Sequence, residues 1–256
     1  MKKVLVTLYI LACTCVSIFA QTQQQPDLQT VDNQFFDPTR KTKDTSDYQF
    51  HVDYRFEVGY IQNNQRTRNL TYPDMYLHGG RVGATFDFAL PMHFSMQTGL
   101  LVDIAYGVKT QHWRSQDAPS AQSEYLRHRV LEANITIPIR CYYTIPLWKK
   151  LNMFFFTGPQ FNIGLAQTDF VEKHLSSPAQ AWIEAQGYHT DKYDRLAAKE
   201  LHRINVQWGL GGGLEWDMYR LQAGYQFGLN NLVRNKVISS QQMWEWGWFV
   251  TFCYRF

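Results

Sequence analysis

Beyond its first twenty residues the chain has no run of about 18 consecutive apolar residues, the length a membrane-crossing helix requires, so a helical membrane protein is excluded. Cysteine is scarce. Of four, Cys13 and Cys15 fall within those first twenty residues, and Cys141 and Cys253 alone make no disulfide framework. Charge of one sign is not in excess: 25 basic and 22 acidic residues give +3, which leaves no electrostatic footprint for nucleic acid. No His-x3-His pair or acidic cluster at ligand spacing occurs, so neither a metal nor a cofactor is expected.

Aromatic residues, in contrast, make up 16% of the chain while mean hydropathy is only −0.37. Many rings inside a polar average imply apolar residues diluted by regular alternation. The opening segment, MKKVLVTLYILACTCVSIFA, sets two lysines before an apolar run and ends at Ala20, the layout of a removed export signal over 1–20. A lipidation box at ILAC (10–13) is the rival reading, but it leaves an apolar stretch of only Val4 to Ala12. Residues 21–48, rich in Gln, Asp and Thr, read as a flexible periplasmic leader, and 49–256 as the folded domain.

Alternation begins abruptly at FHVDYRFEVGY. Phe50, Val52, Tyr54, Phe56, Val58 and Tyr60 share one face, while His51, Asp53, Arg55, Glu57 and Gly59 share the other. About eleven residues of this kind cross a bilayer as a tilted strand. Seven more segments repeat the pattern, around 81–90, 94–109, 131–143, 155–165, 203–216, 220–229 and 246–256. Connections alternate between short (near 90–93, 145–152 and 217–219) and long (near 61–75, 110–124, 167–200 and 230–242). The expected fold is therefore all-β: an eight-stranded antiparallel transmembrane β-barrel in the cell outer membrane, with short periplasmic turns and long extracellular loops. A soluble barrel would put the aromatic row inside, where so many rings do not fit.

Four stretches carry a family resemblance: LEANITIPIRCYYTIP with Pro138, MFFFTGPQFNIGL with TGP at 157–159, WGLGGGLEWDMYRLQAGYQFGLNNL, and the aromatic terminus WGWFVTFCYRF. Over roughly 50–256 the chain resembles the small outer-membrane β-barrel family of Bacteroidetes, the PorT-like or porin-family proteins. The resemblance implies an eight-stranded barrel, outer-membrane location and, for PorT itself, an accessory role in type IX protein secretion.

On the inward parity lie Asp53, Arg55, Glu57, Arg81, Asp87, Asp103, Glu132, Arg140, Arg203, Glu215, Arg220, Glu245 and Arg255, seven acids against six arginines. An eight-stranded lumen is only wide enough for side chains, and lone buried charges are very costly, so these groups are expected to pair and plug the interior. A catalytic site would need a base and a nucleophile at the outer rim. His112, His128, His174, His189 and His202 lie in or near the long connections with Ser115, Ser120, Ser123, Asp169 and Asp191, but no spacing ties one His to one Ser. The 167–200 connection carries its own helix signals: Ser177 as N-cap, Pro178 at the first position and Gly187 as the stop, then Asp191 as a second cap. The reading that follows is a non-enzymatic barrel that is an accessory or structural subunit of an envelope complex. Its expected partners are outer-membrane lipid, the barrel assembly machinery and a protein in the outer membrane. A barrel hydrolase acting on lipid or peptide at the extracellular face is the alternative.

The terminal row Trp248, Val250, Phe252, Tyr254 and Phe256 is the expected assembly signal. Removing Tyr254 to Phe256 takes two aromatics from a lipid-facing row, about 1.5–3 kcal/mol each, which a closed barrel survives. The truncated chain is expected to refold in detergent yet fail to insert in cells; normal insertion in cells would contradict the signal.

Overall fold

The computed structural model describes residues 51–70, 72–113, 124–175, 180–181, 184–185, 191–234 and 240–256. The expected export signal, the leader, Ser115, Ser120, Ser123, Ser177, Pro178, Gly187 and His189 lie outside them. Nine strands occur among the described residues: β1 (Val52–Arg68), β2 (Met75–Ala89), β3 (Phe94–Trp113), β4 (Glu124–Trp148), β5 (Leu151–His174), β6 (Tyr193–Asp194), β7 (Ile204–Trp216), β8 (Tyr219–Gly228) and β9 (Gln242–Arg255). Eight of them form one antiparallel ring in the order β1-β2-β3-β4-β5-β7-β8-β9. It closes where β9 pairs with β1, from Arg55 opposite Arg255 to Arg68 opposite Gln242. The two-residue β6 pairs with β5 at Thr168 and Asp169, beyond Ile163 where β7 leaves that edge.

Alternation sets which way each side chain points. In β1, Tyr54, Phe56, Val58 and Tyr60 are exposed, while Asp53, Arg55, Glu57, Ile61, Asn63 and Gln65 are buried. The exposed row continues through Val82 and Phe86, Leu100 and Ile104, Leu210 and Leu214, and Phe252. A soluble monomer rarely exposes so continuous an apolar surface; hydrocarbon outside removes the cost and leaves the interior for polar groups. Three turns at one end are tight. Met92 and His93, at φ 59° and 66°, reverse the chain between β2 and β3, and Asp217, at φ 56°, does so between β7 and β8. Lys149 and Lys150 alone join β4 to β5. Near this end Trp148, Trp216, Tyr219 and Phe256 stand exposed, and rings at such a level anchor a barrel in the headgroup region.

Strands β3, β4 and β5 are 20, 25 and 24 residues long, about twice what a crossing needs. The connection expected at 167–200 therefore begins later: Gln167 to His174 complete β5, paired to β4 as far as Tyr125 opposite His174. The expected 61–75 and 110–124 connections shorten in the same way, because ladder pairing carries β1 to Arg68 and β3 to Trp113. Residues 180–181 and 184–185 are helical, with Gln180 donating to Glu184 at 2.8 Å. Asp191 lies in a bend before β6, and its exposed carboxylate lies 3.8 Å from Lys173 Nζ. The cap is Asp194, whose Oδ1 accepts from the Leu196 and Ala197 N–H groups at 2.8 and 2.9 Å.

A second apolar cluster covers the loop end of the ring: Tyr72, Leu196, Leu201, Leu232, Val233 and Met243. The Leu201–Val233 bridge fixes it, with hydrogen bonds from His202 N–H to Leu232 O (2.7 Å) and from Arg234 N–H to Glu200 O (2.8 Å).

A closed ring leaves no strand edge for detergent to attack. The folded protein is expected to resist SDS at room temperature and to change migration on boiling; identical bands, with β content already lost in unheated SDS, would contradict closure.

Candidate functional site in the barrel lumen

Toward the turn end the inward charges form a network. Arg55 Nε donates to Asp87 Oδ2 (2.7 Å) and its Nη2 to Glu215 Oε1 (3.1 Å). Arg220 Nη2 lies 2.7 Å from Glu215 Oε2; its Nη1 lies 2.8 Å from Asp87 Oδ2 but outside hydrogen-bond geometry, so that contact is ionic. Arg255 reaches Asp53 at 3.4 Å. Higher up, Arg81 meets Asp103 through two 2.7 Å bonds, the fork geometry that makes arginine–carboxylate pairs strong. All eight groups have partners on other strands; Arg81–Asp103 and Arg220–Glu215 face each other across adjacent strands, whereas Arg55–Glu215, Arg220–Asp87 and Arg255–Asp53 meet only because the ring closes.

The remaining five inward candidates do not form carboxylate–arginine pairs. Arg140 donates to Gln97 and Gln160 (3.3 and 3.4 Å) and lies over the Phe156 and Phe249 rings. Glu57 is fully buried with neither oxygen hydrogen-bonded. Glu132 and Glu245 are held by side-chain amides alone. Arg203 is not in the lumen at all: it is exposed just before β7, its Nη1 3.5 Å from Gly164 O. Residue 203 lies outside the first ladder pair of β7, so strand parity no longer dictates its direction. The expectation of complete pairing therefore fails in the loop-side half, where the amides of Asn63, Gln65, Asn134, Asn205 and Gln207 take the place of cations.

A second buried polar group lies under the cap. His128 Nδ1 and Asp169 Oδ2 are 2.9 Å apart, and Arg195 Nη2 donates to the same oxygen at 2.7 Å. Arg195 is fully buried, with its guanidinium carbon 4.1 Å from the Tyr72 ring centre. Burial, and then Glu200 nearby, push the Tyr72 phenol up to about 12. The sequence reading missed Arg195 and placed Asp169 in a loop. A register shift opposite Ala133 and Asn134 explains the second error. It inserts one extra residue into β5, so the inward positions change from 160, 162 and 164 to 167 and 169, and the alternation seems to stop. No hydroxyl meets His128 Nε2, which is buried and without a partner. His174 stacks on Tyr125, His112 meets the same ring at an interplanar angle of 56°, and His202 is exposed. Among the described residues no three His, Cys, Asp or Glu side chains gather at a metal-binding geometry.

Polar networks occupy the turn side, and Ile61, Leu77, Tyr142, Phe154, Phe156 and Phe249 form an apolar layer between the strands. The chain matches the family model described as an outer membrane protein beta-barrel domain over residues 19–234. It belongs to that family. As a member it resides in the outer membrane, and its loop end faces outward from the cell in this architecture. No curated protein matches it. Among solved structures it is similar to Neisserial surface protein A, at 7% identity and a TM-score of 0.40, covering 80% of this chain and 99% of that one. The Yersinia pestis attachment invasion protein Ail, crystallised with a heparin analogue, gives 8% identity, a TM-score of 0.30 and coverage of 80% and 99%. The N-terminal β-barrel domain of Pseudomonas aeruginosa OprF gives 10%, 0.27, and 78% and 97%.

Removing one member of a buried ion-pair network strands its partners, at a cost of about 3–5 kcal/mol. Arg220→Met leaves Asp87 and Glu215 sharing the Arg55 guanidinium, with Arg255 3.9 Å from Glu215, and is expected to destabilise the barrel by about that amount in urea unfolding from detergent micelles. A change below about 1 kcal/mol, within the range of a surface pair, would mean that the network contributes little.

Proposed function

We propose that this outer-membrane barrel is not an enzyme or an open channel but an accessory or structural subunit of an envelope complex, acting through the surfaces it presents. The observation that carries the reading is the filled lumen: ion pairs toward the turn end, and the Tyr72, Leu196, Leu201, Leu232, Val233 and Met243 cluster toward the loop end. A barrel so packed offers solutes no path, and its remaining asset is its outside. Strands β3, β4 and β5 rise well past the hydrocarbon layer, and their ends carry Arg127 and Arg129 sharing exposed Glu172 at 3.4 and 2.8 Å. The PorT-like resemblance of the TGP, GLNNL and terminal motifs gives the complex a candidate identity, one linked to type IX protein secretion.

The hydrolase alternative has one observation in its favour, the His128–Asp169 contact. It requires a hydroxyl or water on Nε2 and substrate access, whereas Arg195 occupies the same carboxylate oxygen and His128 is buried.

The experiment combines two measurements on protein from detergent-solubilised native membranes. Planar bilayers are expected to show no steady large conductance, and photo-crosslinkers at Arg129 or Lys173 are expected to capture a defined outer-membrane protein. Reproducible open-channel steps, or a chain that purifies alone with no crosslink, would overturn the proposal.

A further inference from the structure

On the turn side of Tyr60 the outward positions of β1 are apolar: Tyr54, Phe56 and Val58. On its loop side they are Gln62, Asn64, Arg66 and Arg68, so on this strand the hydrocarbon layer ends near Tyr60. Across the closing seam the change does not occur. Gln62, Asn64 and Arg66 stand opposite Trp248, Trp246 and Trp244 of β9, outward indoles that continue past the level where β1 has turned polar. Tyr225 and Phe227 of β8 flank Trp248 and Trp246 on the other side. Hydrocarbon has no use for amides and arginines, and bulk water has none for a run of tryptophans. A wall that carries both at one height suits a layer that is itself part apolar and part wet.

The amides on this wall are already engaged. Trp248 Nε1 donates to Gln62 Oε1 at 2.7 Å, and Gln62 Nε2 donates to Asn64 Oδ1 at 3.1 Å. The arginines are not. Arg66 and Arg68 are exposed, and among the described residues neither guanidinium has an ion-pair or hydrogen-bond partner. No carboxylate occupies an outward position of β1, β2 or β9 at this height. Asp74, just before β2, is held by the Thr67 N–H and hydroxyl at 2.6 and 3.0 Å. On the opposite wall, in contrast, Arg127 and Arg129 share Glu172. Arg66 and Arg68 lie on one face of the strand, ~7 Å apart along it. Two long side chains at that spacing reach a single phosphate, whose oxygens match the guanidinium fork.

We infer that the outer wall at the β1–β9 seam binds one phosphorylated glycolipid of the outer leaflet, its phosphate on Arg66 and Arg68 and its sugar on Trp244 and Trp246. Sugar rings offer C–H faces to indoles, and the acyl chains then run down the apolar wall over Val250 and Phe252, both exposed. Charge and height together select this occupant: two unopposed cations stand just beyond the hydrocarbon edge, on the end of the barrel that faces outward. The site needs only an outer-membrane location and is independent of the proposed accessory role.

The test uses the full chain refolded in detergent, with a diphosphorylated, acylated glucosamine disaccharide as the probe and native mass spectrometry as the readout. Heat-modifiable migration checks that each variant is folded. One glycolipid is expected per chain, and the same glycolipid stripped of phosphate is expected to bind at least tenfold more weakly. Replacing both arginines, Arg66→Gln with Arg68→Gln, should cost the phosphorylated form at least tenfold. Trp244→Leu with Trp246→Leu should weaken both forms, whereas Arg127→Gln with Arg129→Gln on the opposite wall should leave binding intact. Should the arginine variant not fold, removing phosphate from the probe tests the same contact on the unaltered chain. Absence of a one-to-one complex, equal binding after dephosphorylation, or an equal loss from the 127 and 129 pair would overturn the inference. Phosphatidylglycerol or inorganic phosphate displacing the probe at equal concentration would overturn a glycolipid as the occupant.

Discussion

Everything in this molecule depends on the pairing of β1 with β9. In hydrocarbon no water is available for a free N–H or C=O, so a sheet there must have no edge. Fourteen ladder positions between Arg55–Arg255 and Arg68–Gln242 remove the last two edges at once. Closure also creates an inside. Arg55 on β1, beside Asp87 of the neighbouring β2, meets Glu215 on β7 only because the first and last strands are neighbours.

An interior this narrow fixes the chemistry that follows. Side chains from opposite walls meet, so each inward polar residue must find a partner within the lumen. The chain uses two solutions. Toward the turns, arginines and carboxylates interlock. Toward the loops, glutamines and asparagines surround carboxylates that have no arginine, and a polar group that can turn either N–H or C=O inward suits a place where charge is unbalanced. Between the two, Arg140 and Arg81 lie over Phe249, so even the apolar layer serves the cations beside it.

The cap has a different logic. Arg195 comes from outside the ring of long strands, yet it is as buried as any lumen arginine, inserted between Tyr72 and Asp169. Apolar residues from the 196–201 and 232–233 segments close over it with Met243 of β9. A loop that buries its own leucines and an arginine belongs to the folded core.

Alternation by itself determined the eight crossings and the face each residue takes, because strand parity is a local property: Tyr54, Phe56 and Val58 point outward for the same reason that Asp53, Arg55 and Glu57 point inward. The turns near 90–93 and 217–219 were legible for the same local reason. Parity gave the inward charges from Asp53 to Arg255 but not their partners, and it misplaced Arg203, which lies one residue beyond its ladder. The true length of β3, β4 and β5 was hidden, since polar residues on both faces above the membrane erase the alternation. One inserted residue near Leu165 likewise concealed Asp169. Which acid meets an arginine, which is left among amides, and which loop arginine is drawn inside were decided by strand pairing and ring closure. They include contacts between residues as far as 202 positions apart, and no local pattern encodes the register that brings them together.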